Sequence, residues 1–256
     1  MTRSPFRIRP LVRSWLPKTL RPHTILTGPL RGQRMVTSWH DYPAGIVGIT
    51  ERPLLSWLAA NVKAGETWLD VGAHYGYTAL ALSRLVGRTG RVFAFEPMLT
   101  TVDRLEETRK LNGLSHLTVV PRGLGSPDTV ATLNLPSTRG MADRTLTGVD
   151  SAPAESIEIA RLDWLWPQIS GSNDVVHGIK IDVQGMEMDA LSGMRTLLER
   201  QKPSLVVELH YGVDRDAFRA LLESIGYETA ATPIETEPSQ DGQLRDNCSY
   251  AFAAAS

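Results

Sequence analysis

The chain has 256 residues, a formal net charge of −1 and a hydrophobic share of 42%. These values are those of an ordinary globular protein, and they favour neither nucleic acid nor an anionic membrane as a partner. The length suits one large α/β domain with a short extension. The single cysteine, Cys248, excludes an internal disulfide and a cysteine-rich metal site, so we expect a reducing, cytoplasmic setting.

Residues 1–44 form a basic segment that has no acidic residue before Asp41. Its apolar pairs are interrupted by Arg13 and flanked by Pro10 and Pro17, which does not fit a secretion signal, and no apolar run is long enough for a transmembrane helix. We predict a solvated, partly disordered arm. A surface that docks to a partner or a membrane, and an organelle transit segment, stay open as alternatives.

From about residue 66 the sequence alternates short apolar runs with longer helical patterns, which is typical of a parallel sheet. The predicted strands are 67–71, 91–95, 117–121, 175–181 and 204–209, and the predicted helices are 77–86, 100–111 and 188–198. Two more segments, 129–135 and 156–160, alternate like antiparallel strands around a polar loop, 137–149. This loop is either a substrate-side flap or disordered. Residues 229–232 and 250–254 are predicted to close the sheet.

The first strand leads into a glycine-containing turn, Leu69-Asp-Val-Gly-Ala-His-Tyr-Gly76. Gly72 and Gly76 lack side chains where a ligand would approach the backbone at the end of a strand. Asp70 would repel a pyrophosphate but can attract the ammonium of an amino acid. The spacing of the two glycines also differs from the dinucleotide pattern G-x-G-x-x-G. The turn therefore favours S-adenosylmethionine as the ligand, although an ordinary strand-to-helix turn stays open, and we assign His74 no chemistry.

Glu96 ends the next predicted strand, 20 residues after Gly76. A carboxylate at this position can accept both ribose hydroxyls of an adenosine. Each feature is weak alone because acids at strand ends are common. Together, at this spacing, they indicate a nucleoside-containing cofactor.

A second turn follows the strand that ends near Ile181. Lys180 and Asp182 are two residues apart and share a face of the strand, so they either form an ion pair or place Asp182 at the mouth of the site. Gly185 permits a tight turn into a helix that carries Glu187 in its first turn.

The last parallel strand ends with Glu208 and His210 on one face. His210 is a candidate general base because its pKa lies near working pH, and a partly exposed histidine without chemistry is the alternative. Methyl transfer to an alcohol needs a base or a metal. The acids and the histidine do not have a diagnostic metal-ligand spacing, so we predict no metal.

These segments, in this order, resemble the FkbM family of methyltransferases. The matching stretches are Leu69-Asp-Val-Gly-Ala-His-Tyr-Gly-Tyr77, Val92-Phe-Ala-Phe-Glu-Pro97, the Asn112 region, Arg161-Leu-Asp163, Ile179-Lys-Ile-Asp-Val-Gln-Gly-Met-Glu187 and Leu205-Val-Val-Glu-Leu-His210. The likeness covers roughly residues 45–212. Two departures are His74, where the family commonly has asparagine, and Gln184, where it often has glutamate. Because Gln184 lacks a charge, we assign it no proton transfer.

The resemblance implies a Rossmann-like class I methyltransferase fold over residues 45–256, with a mostly parallel seven-stranded sheet and helices on both faces. It implies S-adenosylmethionine as the methyl donor and O-methylation of a sugar, glycan or natural-product hydroxyl. The residues that would bind the cofactor are Asp70, Gly72, Ala73, Gly76, Tyr77, Thr78, Glu96, Pro97 and Asp182. The candidate catalytic residues are Asp182, Glu208 and His210.

Two other functions stay open at this point. One is a module that binds the cofactor without turnover and docks a biosynthetic partner through its basic segment. The other is a nucleotide-dependent oxidoreductase on the same sheet, which Asp70 and the glycine spacing disfavour. We expect a small-molecule or glycan acceptor, no nucleic acid and no transmembrane segment.

Overall fold

The computed structural model describes residues 15–128, 130–136, 154–170, 174–235 and 243–255. Its main sheet has seven strands in the order β11-β12-β10-β9-β3-β4-β5. These strands are β3 (Thr67–Val71), β4 (Arg91–Phe95), β5 (Leu117–Val120), β9 (Gly178–Ile181), β10 (Ser204–Leu209), β11 (Thr232–Pro233) and β12 (Cys248–Phe252). Strands β10, β9, β3, β4 and β5 are parallel to one another, and β12 runs antiparallel to both neighbours. The predicted mostly parallel sheet is confirmed.

Eight helices surround this sheet in the described residues. They are α1 (Pro43–Val47), α2 (Arg52–Asn61), α3 (Tyr77–Val86), α4 (Leu99–Leu111), α5 (Leu162–Ile169), α6 (Glu187–Gly193), α7 (Arg195–Gln201) and α8 (Arg215–Ser224). Alternation along β4 explains the two layers. Phe93 and Phe95 pack with the core formed by α5 to α8, whereas Val92 and Ala94 pack with the core formed by α2, α3 and α4. The predicted placement of helices on both faces is confirmed.

The predicted strand 175–181 begins later, at Gly178. The backbone N–H of Thr67 on β3 donates to the imidazole Nδ1 of His177 at 3.1 Å. This N–H therefore bonds a side chain and not the backbone of the neighbouring strand. Regular pairing then begins where Gly178 lies opposite Trp68. A Cβ atom at Gly178 would lie 2.3 Å from the Trp68 ring, and the strand therefore needs glycine there.

The predicted helix 188–198 is two helices, α6 and α7, that meet at Met194. The carboxylate of Asp163 accepts the backbone N–H groups of Thr196 and Leu197, each at 2.9 Å. A new helix N-terminus is thereby stabilised in the middle of an apolar pattern that runs on without interruption. Side-chain periodicity alone does not reveal such a break.

The N-terminal segment differs from the predicted arm. Strands β1 (Arg21–Thr24) and β2 (Arg34–Thr37) form an antiparallel hairpin, and α1 follows it. Ile25 and Met35 are completely buried, and the N–H of Val36 donates to the hydroxyl of Thr108 on α4 at 2.9 Å. The described part of 1–44 is thus folded against the domain and not disordered, and the boundary at residue 44 lies inside a packed unit. Residues 1–14 lie outside the described residues.

A second, small sheet has the order β6-β8-β7. Its strands are β6 (Gly123–Leu124), β7 (Ala131–Pro136) and β8 (Ala154–Ala160). β7 and β8 are antiparallel, as the alternating patterns predicted. The predicted flap, 137–149, lies outside the described residues. Within the part of the chain that is described, no helix combines the length and apolar composition needed to cross a bilayer.

Candidate active site

A cavity of about 270 Å³ lies at the carboxyl ends of β3, β4 and β9. This is the edge at which open α/β sheets bind ligands. The turn after β3, the end of β4, the turn after β9, the N-terminal segment and the small sheet all contribute to its wall. Of the predicted cofactor residues, those on the wall are Gly72, Ala73, Tyr77, Thr78, Glu96, Pro97 and Asp182.

The turn after β3 is built from residues with a left-handed backbone: Gly72 has φ +82°, His74 +49° and Gly76 +89°. A Cβ at Gly72 would lie 1.8 Å from the carbonyl oxygen of Asp182, and one at Gly76 would lie 2.4 Å from Leu105. Both glycines thus make room for the chain itself, and Gly72 allows the turns after β3 and β9 to touch. The predicted contact of these glycines with a ligand stays a prediction.

Asp70 and Gly76, both within the described residues, are not part of the cavity wall. Asp70 is completely buried, and the parallel register of β3 and β9 places it opposite Lys180. Its carboxylate lies 3.4 Å from the Lys180 ammonium. Direct contact of Asp70 with the cofactor's ammonium is thus not supported, because Lys180 is its partner.

Lys180 lies between two acids, since its Nζ is also 3.4 Å from the carboxylate of Asp182. The predicted ion pair is confirmed, and Asp182 is at the cavity as well. Burial lowers the pKa of Lys180, but Asp182 and Asp70 more than offset this and the pKa is raised. Burial raises the pKa of Asp70, against the opposing effect of Lys180. Lys180 therefore stays charged and links the cavity to the interior of the sheet.

Glu96 is buried at the end of β4 and lines the cavity. Its two carboxylate oxygens accept the backbone N–H of His74 at 2.9 Å and that of Met98 at 3.0 Å. These bonds orient the carboxylate before any ligand binds and hold the first turn against β4. The geometry suits the predicted role of a ribose-diol acceptor.

Glu51, which is not among the predicted cofactor or catalytic residues, is a further residue of the site. It lines the cavity, and its carboxylate accepts the hydroxyls of Tyr42 at 2.6 Å and Thr78 at 2.9 Å. It precedes α2 with a left-handed φ of +51°. Its position as the only acid between Asp41 and Glu66 was the one sequence signal, and it could not show that the N-terminal segment folds over the sheet.

Two polar atoms near Glu51 lack a hydrogen-bond partner among the described residues: the hydroxyl of Tyr77 and Nε2 of His74. Both residues line the cavity. Burial, followed by the charge of Glu51, raises the pKa of Tyr77 to about 12. Burial lowers the pKa of His74 to about 4, so its imidazole is neutral at working pH. Buried polar atoms are normally satisfied, so these two are exceptions in residues that line the cavity.

One part of the cavity wall is apolar. It is formed by Leu124 of β6, Ile157 and Ile159 of β8, and Met186, and the last three of these residues pack together. Such a wall suits a flat, uncharged ring such as adenine. The alternating pattern of 156–160 predicted this strand, but it did not indicate that Ile157 and Ile159 line the cavity.

The three predicted catalytic residues, Asp182, Glu208 and His210, lie close together, and we call them the acid–histidine group. His210 Nε2 lies 3.5 Å from an oxygen of Asp182 and 3.6 Å from an oxygen of Glu208. Its Nδ1 lies 2.7 Å from the completely buried Glu187. Gln184 donates its amide to Asp182 at 3.2 Å and lies 2.9 Å from His210 Nε2. Glu187 and Gln184 therefore orient the group.

The acid–histidine group is strongly perturbed. Burial, then repulsion by Asp182, raises the pKa of Glu208 to about 8. Burial raises the pKa of Asp182, but Lys180 and His210 reverse the sign and the pKa is lowered. Burial lowers the pKa of His210, but the bond to Glu187 and the charge of Asp182 outweigh this effect, so the pKa is raised. Such perturbed groups beside a cavity are typical of a functional site.

The sequence-family model described as the methyltransferase FkbM domain matches residues 70–229 of this chain. The chain belongs to the FkbM methyltransferase family. S-adenosylmethionine is the methyl donor of this family, and the cavity fits it. Glu51, Glu96 and Asp182 make an acidic wall that suits a cofactor with an ammonium and a sulfonium and no phosphate, and Tyr77 and His74 offer unpaired polar atoms. The oxidoreductase alternative is thereby excluded.

Three similar proteins support the same fold or family. The chain is 27% identical over 187 residues to hexuronic acid methyltransferase AglP of Haloferax volcanii, covering 73% of this chain and 74% of that protein. A putative rRNA-methylase from Clostridium thermocellum superposes with a TM-score of 0.51 at 13% identity over 79% of this chain and 94% of the other. Fibrillarin of Aeropyrum pernix, crystallised with S-adenosyl-L-methionine, gives 0.51 at 13% identity over 92% and 89%. The two structures show the fold alone.

Proposed function

We propose that this chain transfers a methyl group from S-adenosylmethionine to a hydroxyl oxygen of a sugar or glycan, with a natural-product hydroxyl as the wider class. The observation that carries the proposal is the position of the acid–histidine group at the cavity. Asp182 lines the cavity, and His210 and Glu208 lie next to Asp182. The relative AglP is a hexuronic acid methyltransferase, which supports a sugar acceptor.

The roles of the cavity residues follow from their chemistry. Glu96 accepts the ribose hydroxyls, Glu51 and Thr78 hold the amino-acid end, and the apolar part of the wall formed by Leu124 and Ile159 receives the adenine. The cofactor supplies an activated methyl group on a cationic sulfur. The protein's remaining tasks are to align the acceptor and to remove its proton.

The acid–histidine group meets the second task. A hydroxyl is a weak acid, so its proton has to leave as the new C–O bond forms. Glu187 holds the Nδ1 side of His210, which leaves Nε2 facing Asp182 and Glu208. The charge of Asp182 also favours the cationic sulfur. We therefore assign proton removal to this group, and the predicted catalytic role of Asp182, Glu208 and His210 stays a proposal.

The test separates proton removal from cofactor binding. We expect His210→Gln and Asp182→Asn to lower the rate of methyl transfer about 10²–10⁴-fold, while the affinity for S-adenosylhomocysteine changes by less than about tenfold. The rate is measured as label passing from methyl-labelled S-adenosylmethionine to a panel of uronic-acid and neutral oligosaccharides. Glu199→Gln, at an exposed ion pair on α7, is the matched control.

An unchanged rate in both variants would reject the assignment of the group. Retained binding of S-adenosylhomocysteine without turnover on any hydroxylated acceptor would instead favour the module that binds cofactor and docks a partner. The expectation that the acceptor is not nucleic acid is tested by adding RNA to the same panel.

A further inference from the structure

We infer that the acid–histidine group is a binding site for one divalent cation of the magnesium or manganese class. The inference takes its role in methyl transfer from the proposed function, but the site itself is argued from geometry and charge. Asp182, Glu208 and His210 each offer one ligand atom, and the three atoms lie within 4.8 Å of one another.

The spacing of these atoms fits coordination better than hydrogen bonding. The distances from His210 Nε2 to Asp182 and Glu208, 3.5 and 3.6 Å, exceed those of hydrogen bonds. Neighbouring ligands of an octahedral ion are roughly 2.9–3.4 Å apart when the bonds are about 2.0–2.4 Å long. Two carboxylate oxygens thus lie around one imidazole nitrogen at nearly the spacing that a shared cation requires.

The histidine is prepared as a ligand by a residue outside the ligand set. Metal-binding histidines usually donate their second ring N–H to a carboxylate, which sets the tautomer and the ring orientation. Glu187 is completely buried and lies 2.7 Å from His210 Nδ1, which gives this arrangement. The tautomer with a proton on Nδ1 leaves the lone pair of Nε2 directed between Asp182 and Glu208.

The charge of the surroundings also calls for a cation. Four carboxylates (Asp70, Asp182, Glu187 and Glu208) lie around two cationic side chains at most, Lys180 and His210. Lys180 contacts one oxygen of Asp182, and the other oxygen faces His210. A divalent ion on the second oxygen would thus meet Asp182 from the side that Lys180 does not occupy.

The side-chain amide of Gln184 lies at the same position, between Asp182 and His210. Its amide nitrogen is 3.2 Å from the oxygen of Asp182 and 2.9 Å from His210 Nε2, so this polar hydrogen donor already occupies the region where we place the cation. Rotation of the amide would present its oxygen as a further ligand. Carboxylate and amide oxygens with one imidazole suit magnesium or manganese.

In methyl transfer such an ion would bind the acceptor hydroxyl and lower its pKa, so that the proton could leave to solvent water as the oxygen takes the methyl group. With the ion bound, His210 would be a ligand and not the base. The site would then take acceptors with a free hydroxyl beside the cofactor's methyl group.

The test uses Mn²⁺ as the probe and the full chain after treatment with a chelator. Loss of the free Mn²⁺ electron paramagnetic resonance signal reports binding without any need for cofactor or acceptor. We expect one saturable site per chain, weakened at least about tenfold by Asp182→Asn or Glu208→Gln and about 10–100-fold by Glu187→Gln. Glu199→Gln should bind as the wild type does. Gln184→Glu adds a carboxylate at the site and should tighten binding.

The outcomes are distinguishable from those of the proposed function. Absence of saturable Mn²⁺ binding, or equal binding by wild type and Glu208→Gln, would overturn the inference. Far-ultraviolet circular dichroism and S-adenosylhomocysteine binding show that each variant is folded. If methyl transfer continues at full rate in excess chelator, the cation site is rejected while the proposed methylation stands.

Discussion

Lys180 shows at the residue scale how one side chain can connect the core with a binding cavity. Its ammonium lies 3.4 Å from both Asp70 and Asp182, and only 5% of its side chain is exposed. Removing one partner of a buried ion pair leaves the other charge without compensation. Asp70 is not on the cavity wall and is paired with Lys180 inside the sheet, and its predicted contact with the cofactor stays a prediction.

We predict that Lys180→Met lowers the free energy of unfolding by about 3–5 kcal/mol, because Asp70 is left as an unpaired buried charge. The double variant Asp70→Asn/Lys180→Met should recover a substantial part of this loss. Urea unfolding of the wild type, both single variants and the double variant forms the double-mutant cycle. Additive effects of the two substitutions would show that the pair does not interact.

His74 gives a pH dependence at the same scale. Its pKa in the folded protein is lowered to about 4 by burial, below the ordinary value of 6.5. Between these two values the unfolded chain binds more protons, so stability falls as the pH falls from about 6.5 towards about 4. Stability from this group is fully present above pH 6.5.

We therefore expect the wild type to lose more unfolding free energy between about pH 7 and about pH 5 than His74→Asn does. Asparagine tolerates the left-handed backbone of this position and does not titrate. The urea midpoint of each protein at the two pH values measures the effect, and all other titrating groups are shared. Parallel pH profiles for the two proteins would show that His74 does not titrate as described.

At the scale of elements, the N-terminal hairpin is where sequence pattern and structure differ most. Its arginines led to the prediction of a solvated arm, but short apolar groups around Ile25 and Met35 are completely buried. Met35 of the hairpin packs in one cluster with Tyr77 and Leu80 of α3, and Val36 bonds Thr108 of α4. It also brings Tyr42 and Glu51 to the cavity. Contacts between residues so far apart in the chain leave no periodic pattern in the sequence.

We predict that Met35→Ala lowers the free energy of unfolding by about 2–5 kcal/mol, because it opens a cavity in a packed core. Arg31→Ala, at an exposed residue of the same hairpin, should change it by less than about 0.5 kcal/mol. Chemical denaturation of both variants checks this. A Met35→Ala variant as stable as the wild type would indicate that the segment is an appended arm after all.

Other elements were predictable where local pattern decides the structure. Strands 67–71, 91–95 and 204–209 and helix 77–86 agree with the structure residue for residue, because apolar runs and bounding glycines determine them locally. The side of the sheet that Asp70 faces was not predictable, since all five residues of β3 are buried. The break between α6 and α7 depends on Asp163, which is distant in sequence from the helix that it caps.

At the scale of the whole molecule, two turns from distant parts of the chain meet across one cavity. Gly72 lies against the carbonyl of Asp182, so the cofactor turn and the turn that carries the acid–histidine group form one surface. Glu51, Glu96 and Asp182, which lie on distant parts of the chain, all line this surface. The sequence located both turns, and only the fold shows that they share one site.

Calorimetric titration with S-adenosylhomocysteine tests this account most directly. We predict one binding site per chain in the wild type and in Glu199→Gln, with affinity about 10–100-fold lower in Glu96→Gln, because a charge-assisted hydrogen bond to the ribose is lost. The variant's thermal unfolding shows whether it keeps its fold. Absence of binding to the wild type, or equal affinity of wild type and a folded Glu96→Gln, would contradict the assignment of this cavity to the cofactor.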